Sequence, residues 1–175
     1  MTATLILMKG NPASGKSTLA LALARKLRWP LIDKDDVKDH LYTQPQGNEL
    51  SYQIMWQITG RQLSLQLSVI VDSPLSYPMA YHTGRELAGQ NGADLIILEA
   101  SPPDPVWRAR LENRSASASA HKIRGWSAMQ TQIQRYNGQQ NYPIEGVKHL
   151  KVDTSRPINK LISEILPHIT QQREY

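Results

Sequence analysis

The chain has no cysteine, which excludes disulfides and thiolate metal sites and suits a cytoplasmic protein. Its five histidines, His40, His82, His121, His149 and His168, are scattered with no metal-ligand spacing between any two. Each therefore reads as an ordinary surface or core residue. No apolar run approaches the roughly 18 consecutive residues that a membrane span requires. The N-terminal stretch "TLILM" lacks both a basic region ahead of it and a small-residue cleavage site, so it reads as a first strand and not a secretory signal. Internal repeats and linkers are also missing. The 175 residues are expected to form one domain with a core of its own and no membrane partner.

Charge and periodicity are what remain to be read. The formal net charge is +5, which favours anionic partners. Arg108, Arg110, Arg114, Lys122 and Arg124 crowd into one short segment. No aromatic platform is interleaved with them, as a nucleic-acid surface would require. Short β-rich runs alternate with helical patterns, the order expected of a parallel sheet covered by helices. Strands are predicted at Thr4–Met8, Pro30–Asp33, Ser68–Asp72, Asp94–Glu99 and Leu150–Asp153, with continuous apolar centres that suit burial on both faces. Leu19, Leu23 and Leu27, with Ala20 and Ala24, place an apolar stripe on the helix after the first strand. Leu50, Ile54, Ile58 and Leu65 mark a second helix, and Ile158, Leu161, Ile162, Ile165, Leu166 and Ile169 a third, with Pro157 at its first position. "SASASA" at 115–120 lies between Arg114 and Lys122 and has no side chains able to pack; a lid over about 114–126 is expected there.

Residues 10–17, "GNPASGKS", satisfy G-x-x-x-x-G-K-[ST] with no departure, directly after a strand and before a helix. Gly10 and Gly15 permit turns and a close approach that a Cβ would obstruct. Gly10, Asn11, Pro12, Ala13, Ser14, Gly15, Lys16, Ser17 and Thr18 are expected to bind the nucleotide, their successive backbone N–H groups (Pro12 has none) and the helix N-terminus facing phosphate oxygens. Lys16 can reach the β- and γ-phosphates of a nucleotide, and the Ser17 hydroxyl can ligate Mg²⁺.

Motor ATPases, switch GTPases and small kinases all use such a loop. The third strand ends in Asp72, where a metal-side carboxylate belongs, but Ser73 and Pro74 stand where a hydrolytic ATPase would carry its water-activating glutamate. The D-x-x-G and N-K-x-D signatures of switch GTPases both fail, at Asp72 and at Asn159–Lys160. Kinase chemistry remains. "PLIDKDDVKDHL" sets Asp33, Lys34, Asp35, Asp36 and Lys38 at the C-terminal end of a strand, the edge where open parallel sheets bind ligands. Asp35 can serve as base toward an attacking hydroxyl, while Asp36 suits the first turn of a helix. In "VWRARLENR", Arg110 and Arg114 stand four apart on one helix face and can cover a transferring phosphoryl group. Trp107 and Trp126 bracket the lid as packing anchors, and Arg108 falls to the surface. Tyr42, Tyr52 and Tyr77 are expected near the acceptor, between the helices at 35–43 and 48–66 and Asp72.

"GNPASGKST" (through Thr18), "DKDDVK", "IVDS" and "RLENR", in this order and spacing, resemble the small P-loop kinases of the zeta-toxin and polynucleotide-kinase-like group, also described as AAA-type ATP-binding proteins. The resemblance implies a three-layer α/β P-loop fold, a five-stranded parallel sheet of order 2-3-1-4-5 with helices on both faces. It implies ATP with Mg²⁺ as donor and a hydroxyl acceptor, with Lys16, Asp35, Arg110 and Arg114 as catalytic residues. Asp35, Lys38 and Asp72 would face the acceptor, and Ser17 and Asp72 the metal; Asp72 is equally open to binding the acceptor. Asp153 and Thr154 would border the adenine. Where the polynucleotide kinases usually have arginine three residues after the base, this chain has Lys38, which lacks the bidentate fork for phosphate. A small-molecule acceptor is therefore preferred to a polynucleotide 5′-hydroxyl. A regulatory module with slow ATP hydrolysis is the other alternative.

Overall fold

The structure, a computed structural model, describes residues 2–115 and 121–170. Strands β1 (Thr4–Lys9), β2 (Leu31–Asp33), β3 (Val69–Asp72), β4 (Asp94–Ala100) and β5 (Lys148–Val152) form one parallel sheet in the order β2-β3-β1-β4-β5. The helices are α1 (Lys16–Leu27), α2 (Lys34–Leu41), α3 (Gly47–Ser64), α4 (Pro78–Gln90), α5 (Asp104–Glu112), α6 (Trp126–Tyr136) and α7 (Ile158–Thr170). This is the three-layer architecture that the resemblance implies.

The period-2 alternation of the central strand divides the core into two layers. Ile6 and Met8 pack with Leu19 and Leu23 of α1 and Leu161 and Ile165 of α7. Leu5 and Leu7 face the other way, toward Met55 and Leu63 of α3 and Tyr81 of α4. Each fully buried leucine contributes about 1.5–3 kcal/mol, so the sheet is fixed from both faces. As a result the C-terminal ends of β1, β2 and β3 come level, with Asp72 in register with both Met8 and Asp33.

Two sequence expectations are corrected. β5 ends before Asp153, whose carboxylate instead accepts the Ser155 amide at 2.9 Å and turns the chain. In α3 the buried positions are Gly47, Ser51, Met55, Thr59 and Leu63, while Leu50, Ile58 and Leu65 are exposed. At the N-terminal end of α3 the inward positions are small because α2 approaches closely: a Cβ on Gly47 would lie 1.8 Å from the Leu41 carbonyl oxygen.

Helices α5 and α6 carry a small core of their own, made by Trp107, Leu111, Met129 and Tyr136, with Ala13 of the phosphate loop packed on its edge. The expected lid lies partly outside the described residues, at 116–120. Its described flanks are tied together: Arg114 Nη1 donates to the Ile123 carbonyl at 3.1 Å, and the Gly125 amide to the Leu111 carbonyl at 3.0 Å. Among the described residues no helix is long and apolar enough to cross a membrane.

Candidate active site

The phosphate loop is held in shape partly by its own backbone: the Gly10 amide donates to the Pro74 carbonyl at 3.2 Å and the Ser14 amide to the Asn11 carbonyl at 3.1 Å. Gly10 has φ 147°, and a Cβ there would meet Ser14 Oγ at 2.8 Å and the Ala100 carbonyl oxygen at 2.9 Å, so only glycine fits. Gly15 sits at φ 89° and precedes α1, whose N-terminus carries no side-chain cap. Residues from Pro12 to Thr18 line a cleft of about 900 Å³; Gly10 and Asn11 lie behind the loop, lining a smaller cavity of about 140 Å³. Lys16 Nζ lies 3.3 Å from Asp72 Oδ1, and Asp72 is almost fully buried.

The end of β2 delivers the acids. Asp33 caps α2, accepting the Asp35 amide at 2.8 Å. Burial, with the neighbouring Asp72 adding repulsion, pushes Asp33 up to about 6. Asp35 behaves in the opposite way. Burial favours its neutral form, but Lys34 at 2.9 Å, His121 at 3.3 Å and Lys122 at 3.8 Å outweigh it and hold the carboxylate down at about 2. Lys34 is itself buried, with its ammonium 5.5 Å from the centre of the Tyr52 ring. Two carboxylates two residues apart are thereby given different affinities for a proton.

The two arginines do not share a helix face, because α5 ends at Glu112, ahead of Arg114. Arg110 is turned toward the nucleotide side: Nη1 donates to the Ser14 carbonyl at 3.3 Å, and Nη2 to the Thr154 carbonyl at 2.7 Å. The Thr154 hydroxyl also donates to the Ser14 carbonyl, fastening the segment after β5 to the loop. Arg114 lines the same cleft beyond the end of α5, where burial disfavours its charge and Asp35 offsets that in part. Trp107 and Trp126 meet edge to face with centroids 5.2 Å apart, and Trp107 Nε1 donates to the Pro12 carbonyl at 2.7 Å. Arg108, exposed, lies over Trp126 at 4.2 Å. Tyr42 is outside the cleft: it follows the end of α2, is half exposed and faces His121. Tyr52 and Tyr77 line the cleft as expected, joined by Tyr136.

The AAA domain family matches residues 5–137. The chain belongs to this family. Among curated proteins, none matches the chain by sequence. Solved structures do match. A protein of Chloroflexus aurantiacus j-10-fl provisionally named a kinase is 22% identical, with a TM-score of 0.77 over 96% of this chain and 99% of its own. A gluconokinase from Sinorhizobium meliloti 1021 is 22% identical, at 0.66 over 98% of this chain and 94% of its own. A shikimate kinase from Acinetobacter baumannii, in complex with shikimate, is 14% identical, at 0.61 over 99% and 97%. At these identities the likeness establishes a shared fold.

Sequence reasoning misses several cleft residues. Asp33 was legible only as part of an acidic run, and its strand register with Asp72 depends on topology. His121 looked like a scattered histidine; in the structure its two ring nitrogens lie 3.3 Å from Asp35 and 3.0 Å from Asp39. Arg135 and Gln132, three apart on α6, also face the cleft, and no motif announces them. Arg156 lies on the nucleotide side, paired through Nη1 with Glu164 at 2.9 Å.

Proposed function

We propose that the protein is an ATP-dependent phosphotransferase that moves the γ-phosphoryl group to a hydroxyl of a small-molecule acceptor. One observation carries this reading: a single cleft joins the phosphate loop to Asp35, while the position after Asp72 holds a buried serine instead of a water-activating acid. The loop amides and Lys16 hold the β- and γ-phosphates, and Arg110 with Thr154 fixes the nucleotide side. Arg114 covers the transferring group. The acceptor oxygen forms a bond to phosphorus as the bridging bond to the β-phosphate breaks, and ADP leaves.

Asp35, held ionised by its lysines, is a weak base in the free protein. Its role is to accept the hydrogen bond of the attacking hydroxyl and aim it; in a loose transition state the proton departs late, so orientation matters more than basicity. Lys38 and Asp72 complete the acceptor side. Among the described residues no three His, Asp or Glu side chains gather to hold a metal alone. That suits Mg²⁺, which binds through one or two protein oxygens together with phosphates and waters. Ser17 and Asp72, whose buried Oδ1 has Lys16 Nζ at 3.3 Å beside it, would hold it, with Asp33 adjacent. When bound with the nucleotide, it would neutralise charge on the phosphoryl oxygens.

The place of Asp35 supports membership of the zeta-toxin and polynucleotide-kinase-like group, and the cations of the cleft keep a 5′-hydroxyl polynucleotide as the second reading. Release of ADP tests the assignment. With a panel of sugars, sugar acids, nucleosides and 5′-hydroxyl oligonucleotides, at least one acceptor is expected to raise ADP production well above the no-acceptor rate. Uniform background rates across the panel would leave the slow-hydrolysis module standing instead.

A further inference from the structure

The charges of the cleft divide unevenly between its two sides. On the nucleotide side every cation has a partner: Lys16 has Asp72, Arg156 has Glu164, and Arg110 is bonded to the Ser14 and Thr154 carbonyls. The cleft is also lined by Lys34, Lys38, Arg114, Lys122 and Arg135, none of them part of the phosphate loop. Besides Asp72, its acids are Asp35 and Asp33. Lys34 already bonds Asp35 at 2.9 Å, so Lys122, at 3.8 Å, has only a share in that carboxylate. Lys38 and Arg135 form no ion pair among the described residues. Lys38 is also disfavoured as a cation, first by burial and then by Lys34, with Asp35 and Asp39 compensating in part.

ATP does not account for this excess. On the phosphotransferase reading its phosphates would lie against the loop, Lys16 and the α1 N-terminus, with Arg114 over the transferring group. Lys38 on α2, Lys122 on the arm before α6, and Arg135 on α6 come from three separate elements, yet all line the same cleft. Holding several cations around one partly desolvated space is costly unless a ligand anion completes them. Tyr52, Tyr77 and Tyr136 supply the uncharged wall, and Tyr77 and Tyr136 brace each other edge to face at 5.6 Å.

We propose that the acceptor is a small hydroxylated anion, whose carboxylate or phosphate is held by Lys38, Lys122 and Arg135 while its hydroxyl faces Asp35. This rests on the phosphotransferase reading for the hydroxyl, but the anion pocket stands on charge placement alone. The pocket selects against neutral polyols of the same shape, which would leave the cations unpaired.

Matched pairs test the proposal: gluconate with glucitol, shikimate with its methyl ester, and glycerol 3-phosphate with glycerol, together with a 5′-hydroxyl oligonucleotide. Thermal stabilisation in the presence of a non-hydrolysable ATP analogue reports binding, and ADP release reports transfer. The anionic member of at least one pair is expected to stabilise the protein and to exceed its neutral partner about tenfold in kcat/KM. The carboxylate and phosphate arms then separate the two anion classes. Lys38→Gln and Arg135→Gln should each raise KM for that acceptor about tenfold while leaving KM for ATP within about twofold. Lys38→Arg should restore it. Stabilisation by anions without transfer would remove the phosphotransferase reading and leave the pocket. Equal use of neutral partners, transfer to the oligonucleotide alone, or no binding by any anion would overturn the anionic acceptor.

Discussion

The phosphate cradle of the cleft comes from one continuous stretch, Pro12–Thr18, whereas the proposed acceptor side is assembled from α2, α3, the arm at 121–123 and α6. The first is shaped by backbone, with glycines at φ 147° and 89° and an uncapped helix end. The second is shaped by side chains that meet only after folding. Backbone cradles serve any nucleoside triphosphate in the same way; side-chain walls can be changed one residue at a time without loss of the cradle. The two sides should therefore fail independently, and each substitution below is aimed at one of them.

Lys16→Ala should have the largest effect, since it strikes the shared phosphates. Nucleotide-dependent thermal stabilisation should vanish and transfer fall by at least roughly 10²–10³-fold, the range for removing one preorganised electrostatic contact. The buried Asp72 also loses its ammonium partner, so the apo protein should melt lower. Persistence of the ATP-induced shift would show that the loop is not the nucleotide site.

Asp35→Asn strikes the other side. ATP binding should stay within about twofold, while transfer falls roughly 10²–10⁴-fold, the span expected for a lost acid–base or orienting group. Calorimetric titration with an ATP analogue and an ADP-release assay on the same sample separate the two. Transfer at the wild-type rate would remove Asp35 from the reaction.

The same division explains what the sequence makes legible. Gly10, Gly15, Lys16 and Ser17 announce themselves because the loop's chemistry lies in consecutive positions. The strands are readable because burial on both faces makes them continuous apolar runs, and β1 to β4 fall where the pattern puts them. Arg135 and His121 are not readable: each stands far along the chain from Asp35 and gains meaning only through packing of α5 and α6. Arg110 and Arg114 show a subtler limit. Their four-residue spacing implies a shared helix face, but α5 ends at Glu112, so Arg114 is not carried on the face that holds Arg110. In α3 Leu50 and Ile58 misdirect for a related reason: the inner face runs through Gly47, Ser51, Met55, Thr59 and Leu63, and close approach of α2 keeps its first positions small.

The neighbouring acids give a finer test, because their pKa values move in opposite directions from an ordinary 3.8. Asp33 is raised to about 6, so the folded state holds its proton more tightly than the unfolded chain. Its contribution to stability is present below about pH 4 and is lost as pH rises through about 6. Asp35 is lowered to about 2, so its contribution is present above about pH 4 and is lost as pH falls through about 2. In metal-free protein, Asp33→Asn should raise the melting temperature at pH 7, since asparagine keeps the cap on α2 and removes the repulsion with Asp72. Asp35→Asn should lower it, and that difference should close toward pH 2. Melting curves from pH 2 to 8 would show both slopes; parallel profiles for the two variants would refute the assignment.

The smallest expected effect lies where the two sides meet. Trp107 joins the α5–α6 core to the loop through its Nε1 donation to the Pro12 carbonyl and its edge-to-face contact with Trp126. Trp107→Phe keeps most of the apolar area but removes the donor. The loss should be about 1 kcal/mol, near the net value of one hydrogen bond, which corresponds to a fall in melting temperature of roughly 2–4 °C for a chain of this size. Because the acceptor walls are anchored to the loop through this contact, KM for the acceptor should rise more than KM for ATP. Equal shifts in both would mean that α5 and α6 move with the loop as one body, and that the two sides of the cleft are less independent than their construction implies.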